Sequence, residues 1–164
     1  YLKIYSGYQL QPGEDEDIRE DVYTGTTCLP SLISEYLAAG EFDKVPIMDE
    51  LHRNGVIAGF ICFALNHEDS WDDTMEYEFQ VMKLRDELIN HITGDFHRGD
   101  RRRDIAFIEG ATGLKYGYLD FLIFGGAGLL ISSAMEFFKN RNVKFAAFKT
   151  FRKISGAVTL VSEG

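Results

Sequence analysis

Apolar and polar positions alternate from the first residues. Tyr1-Leu2-Lys3-Ile4-Tyr5 suits a strand. Pro12-Gly13 marks a turn, and Glu14 to Asp17 is an acidic run of the kind found in solvated loops. Pro30 starts a helix that reaches about Ala39 and stops at Gly40, since proline's fixed φ and missing N–H suit a helix start. Pro46 opens a shorter helix to Asn54, closed by Gly55. Val56 to Leu65 is a continuous apolar run rich in β-formers, the length of one buried strand.

Ser70-Trp71-Asp72-Asp73 is a variant capping box. After it, Trp71, Met75, Phe79, Met82, Ile89 and Ile92 fall mostly three or four apart, which predicts a helix with these residues as its apolar stripe and an end near Gly94. Ile105–Ile108, a turn at Gly110–Gly113 and Lys115–Phe124 predict a β-hairpin over 105–124. Gly125 to Gly128 breaks the second strand. A helix over Leu129–Asn140 follows, then strands over Val143–Phe151 and Ala157–Val161. From Val56 the order is βαββαβ plus one strand. The expected fold is therefore α+β, a ferredoxin-like antiparallel sheet with helices on one face, carrying an N-terminal strand/helix extension and a C-terminal strand. Residues 1–54 form the extension packed on a 55–164 core, a single domain overall.

Composition adds limits rather than a function. The 164 residues are 45% hydrophobic and 26% charged, ordinary for a folded domain, and two cysteines exclude a disulfide scaffold. The net charge of −9 is uneven. Residues 1–54 hold 11 acids and 4 bases, residues 55–95 hold 9 and 2, and residues 96–164 hold 6 and 11. An acidic surface attracts basic proteins and repels nucleic acid and anionic lipid. The longest uncharged stretch, Phe121 to Met135, is shorter than a bilayer span and is interrupted by glycines, so no membrane association is expected. From the start at Tyr1 rather than Met a trimmed or processed chain is expected, and the expected location is cytoplasmic.

Chemistry-bearing residues concentrate on the hairpin. Asp120 lies in the middle of an apolar strand, where a desolvated carboxylate costs several kcal/mol unless paired. With Glu109, Lys115, Tyr116 and Tyr118 it would line a polar groove on an open sheet face, and these five are the ligand-binding candidates. The histidines show no metal-ligand spacing, and there is no Cys-x-x-Cys, P-loop, G-x-G-x-x-G or G-x-S-x-G. Neither metal nor cofactor is expected. Cys62 reads as a buried hydrophobe, Gly125–Gly128 as a tight turn, and Arg101-Arg102-Arg103 as a solvated loop paired with Asp100 and Asp104.

With no catalytic motif, the favoured reading is a non-enzymatic protein-binding or regulatory domain with a basic protein partner. A bacterial immunity-type inhibitor covering a basic toxin is one concrete form. A homodimer through the sheet is left open. The alternatives are a small enzyme with a carboxylate/tyrosine pocket on the 105–124 hairpin, and a single-stranded nucleic-acid binder using Tyr116, Tyr118 and the three arginines, which the net charge disfavours.

Overall fold

A computed structural model describes residues 3–7, 23–39, 44–66, 74–113, 116–125, 127–152 and 156–162. The acidic run over 12–17, Gly40, His67, the cap at Ser70–Asp73 with Trp71, Lys115, Gly126 and Ser155 lie outside the described residues. The elements run β1 (Lys3–Gly7), β2 (Tyr23–Thr27), α1 (Pro30–Ala38), α2 (Pro46–Arg53), β3 (Ile57–Leu65), α3 (Thr74–Arg98), β4 (Ile105–Gly113), β5 (Gly117–Ile123), α4 (Gly128–Lys139), β6 (Val143–Thr150) and β7 (Val158–Ser162). A single 3-10 turn over Arg102–Asp104 joins α3 to β4.

Among the described residues, seven strands form one antiparallel sheet in the order β1-β2-β4-β5-β3-β6-β7. The long apolar strand β3 sits between β5 and β6, with the β4–β5 hairpin on one side. Both of its faces are covered. Ile61 and Phe63 join Leu119, Phe121 and Ile123 beneath α3 and α4, while Ala58, Phe60 and Cys62 join Tyr118, Ala147 and Phe151 beneath α1 and α2.

Helices on one face only were expected, and the structure has them on both. The alternate positions of β3, β5 and β6 are apolar on either side, so a single helical layer would leave one face wet. Leu32, Ile33 and Tyr36 of α1, with Val45 and Met48 at α2, supply the second layer. The N-terminal 54 residues also place β1 and β2 in the sheet itself, beside β4. Tyr-Thr-Gly-Thr-Thr of β2 is short and mostly polar, and its pattern gave no strand signal.

The phase and end of α3 also differ from expectation. Its buried stripe is Val81, Leu84, Leu88, Ile92 and Phe96, whereas Met75, Phe79 and Met82 face outward. Both sets recur at three or four residues, so periodicity alone fits either. Gly94 lies inside the helix, where glycine costs about 1 kcal/mol relative to alanine. The buried Phe96 beyond it carries the helix on to Arg98. There Asp100, with φ 55°, turns the chain and the Arg101 N–H bonds to the Phe96 carbonyl at 2.7 Å.

The hairpin turn is shifted as well. Gly110–Gly113 belongs to β4 instead, and the Gly113 N–H bonds to the Tyr116 carbonyl at 2.8 Å. A bulge lies between Phe107 and Glu109, where Glu109 takes φ 88°, a region that strains any residue with a Cβ. Glu109→Gly is therefore expected to stabilise the protein by about 0.5–1 kcal/mol, read as a rise in the urea midpoint at unchanged slope. A lower midpoint would show that the glutamate side chain contributes more than its backbone strain costs.

Among the described residues, no helix is long and apolar enough to cross a membrane.

Candidate functional site

The second helical layer decides the fate of the hairpin candidates. Tyr118 and Asp120 alternate onto the face under α1 and α2 and have 0% exposure. The sheet face expected to be open is thus closed. Tyr116 is half-buried between the rings of Tyr118 and Phe145, with centroids 6.1 and 6.0 Å away. Glu109 pairs with Asp120 across the β4–β5 ladder, but the bulge leaves its side chain exposed. Lys115 is outside the described residues.

A buried residue absent from the sequence-based candidates completes this layer. Phe60 of β3 has Asp120 of β5 as its partner on one side and Lys149 of β6 on the other. Cross-strand partners share a face, so an acid and a base flank one phenylalanine ring beneath the helices. Both are fully buried, as is Thr27 on β2. Each of the two charged residues is engaged by neighbouring groups. The signal lay in β6: Phe145, Ala147, Lys149 and Phe151 share one face, and a lysine in that series has to be buried with the rest.

The other motifs resolve into local structure. Arg101 binds Asp104 at 2.7 Å, and Arg102 and Arg103 are exposed. Cys28 is exposed and Cys62 is buried, and both are free thiols. His91 and Asp95, one helical turn apart because α3 continues past Gly94, meet Glu136 of α4.

The outer face of α3 is the most unusual surface. Met75, Phe79 and Met82 are 74%, 60% and 52% exposed. Their spacing of four and three aligns them along one side of the helix. Glu78 and Asp86 are exposed on the same half of the helix, with Lys83 the exposed base among them. Beside the stripe, a cleft of about 210 Å³ opens between α3 and the β3 and β6 ends, lined by Gln80, Lys83, Leu84, Glu87 and Arg141. Its lining residues Glu87 and Arg141 pair at 3.0 Å, and Asn66, also in the lining, donates to Asn142 at 2.7 Å. A second cleft of about 410 Å³ lies where α2 meets the ends of β3 and β6, lined by Met48, Val56, Ile57 and Thr150 with His52 and Arg152. Arg152 is held there by Asp49.

No family model, curated protein or solved structure matches this chain.

Proposed function

We propose that this chain is a non-enzymatic protein-binding domain that docks a basic partner through the N-terminal half of α3. One observation carries the reading. Three large apolar side chains, Met75, Phe79 and Met82, stand exposed at i, i+4 and i+7 on the solvent side of α3, opposite its buried stripe. That spacing is how a helix presents anchors to a partner's groove, and methionine adapts its shape to the surface it meets. The acids beside the stripe supply the charge complement, favouring partners with a basic rim. The excess of acids before residue 96 would steer the encounter, while the apolar stripe would hold the complex. An immunity-type inhibitor of a basic protein is the concrete form of this reading.

The core is read as ferredoxin-like. The inner strand order β4-β5-β3-β6, with α3 and α4 on one face, supports that arrangement, with β1, β2 and β7 as additions. Against the enzyme reading, Asp120 and Tyr118 both lie buried under α1 and α2, which leaves Glu109 as the exposed carboxylate of the hairpin. The nucleic-acid reading lacks a second stacking ring, because Tyr118 is buried too.

Crosslinking in a lysate of the source cell identifies a partner, which is then purified and titrated. Phe79→Ser is expected to weaken the complex about 10–100-fold, as for an interface anchor. Raising ionic strength from about 0.05 to 0.5 M should slow association far more than it speeds dissociation. A partner that binds Phe79→Ser as tightly as the native chain, or whose association ignores salt, overturns the proposal. So does self-association through the stripe, visible as a dimer by sedimentation that Phe79→Ser dissolves.

A further inference from the structure

We infer that His91, Asp95 and Glu136 form a site for a divalent transition-metal ion, of the zinc class, bridging α3 and α4. One ligand atom from each of the three lies within 4.8 Å of the others. His91 and Asp95 are four apart on α3, so both side chains rise from one face, and Glu136 approaches from the facing helix.

Two further observations separate this group from an ordinary cluster of surface charges. First, His91 Nε2 is buried and has no hydrogen-bond partner. Its nearest carboxylate atom, Asp95 Oδ2, lies 3.4 Å away. That separation is poor for a hydrogen bond. It matches the edge of a tetrahedron with metal–ligand bonds of about 2.0–2.1 Å, which is about 3.4 Å. A buried nitrogen lone pair or N–H with no partner is costly in water's absence, and an ion in front of it would use the lone pair.

Second, the surroundings already orient the ligands. Ser133, 2% exposed, donates its hydroxyl to Asp95 Oδ2 at 2.6 Å, and Arg98 binds Asp95 Oδ1. The imidazole packs against the buried Phe137 ring with centroids 5.5 Å apart. Metal ligands are usually held in this way by partners behind them. The imidazole nitrogen and two carboxylate oxygens suit zinc better than calcium or magnesium, which favour all-oxygen shells. Three protein ligands leave a fourth position for water, and Glu136, exposed, provides the side from which an ion exchanges.

The test uses zinc alone on chelator-stripped protein, followed by calorimetry, with cobalt as a spectroscopic stand-in. One equivalent of zinc should bind, and cobalt should give the visible absorption of a four-coordinate site. His91→Ala and Glu136→Gln should each lower zinc affinity at least 10-fold and erase the cobalt band, and Cys28→Ser should leave both intact. Both altered residues are partly or fully exposed, so the variants should fold, which circular dichroism verifies. Absence of stoichiometric binding overturns the inference. Binding that persists unchanged in both variants also overturns it, because the ion then sits elsewhere.

Discussion

Replacing Asp120 with alanine should destabilise the protein by about 3–5 kcal/mol, the range seen when one member of a buried charged set is removed. Among the described residues, Asp120 and Lys149 are the fully buried charged side chains, on either side of Phe60 under α1 and α2. Removing the acid takes a buried partner from the groups that Asp120 engages, in the same layer that holds Lys149. The reverse substitution, Lys149→Ala, should have a loss of similar size. The informative variant is the double one. Asp120→Leu with Lys149→Met replaces both charges by apolar groups of similar bulk, and should recover most of the stability. Urea denaturation of the two single variants and the double variant closes a cycle, with a coupling of at least about 1 kcal/mol expected. Two single losses that simply add would show that the charges are compensated separately. A fully stable Asp120→Asn would leave the carboxylate charge no structural role.

Gly110→Ala should be nearly as damaging, at about 3 kcal/mol, the upper part of the range for overpacking. A Cβ at this position would collide with the Tyr118 carbonyl oxygen and lie 3.1 Å from the Arg85 side chain. Arg85 can swing aside, although it would give up its bond to the Ala111 carbonyl at 2.8 Å. The Tyr118 carbonyl belongs to the β4–β5 ladder and cannot. Gly128→Ala is the control. Nothing lies within 4 Å of a Cβ there, and the residue opens α4, so stability should rise by about 0.5 kcal/mol or less. Thermal melts of the pair separate steric clash from helix propensity. Equal effects at the two sites would mean that the sheet spreads more easily than its hydrogen-bonded register implies.

Local signals in the sequence located most elements. Pro30 and Pro46 begin α1 and α2, the run over 56–65 is β3, and the glycines before Leu129 lead into α4. Each depends on backbone chemistry acting within a few residues. Long-range arrangement was less legible. That α1 and α2 lie over Phe60 and Tyr118 depends on contacts between residues far apart in the chain, and no pattern within 30–54 states which surface they cover. The phase of α3 failed for a different reason. Met75, Phe79 and Met82 are as apolar as the core stripe, and a helix with two apolar sides cannot reveal by period which of them is inside. The misplaced end at Gly94 then hid Asp95 as a neighbour of His91. Asp120 was recognisable as an acid in an apolar strand, whereas Lys149 was masked because lysine is common at strand ends.

The layer formed by α1 and α2 has a consequence for solubility. A chain starting near Gly55 would retain the whole βαββαβ order yet expose Ala58, Phe60, Tyr118, Ala147 and Phe151 as a largely apolar face, interrupted by Asp120 and Lys149 beside Phe60. A flat apolar sheet surface of that kind invites association with copies of itself. Substitutions that loosen Leu32, Ile33 or Tyr36 act on the same surface from above, so their harm would show first as aggregation on expression. In this protein the first two helices cover that face.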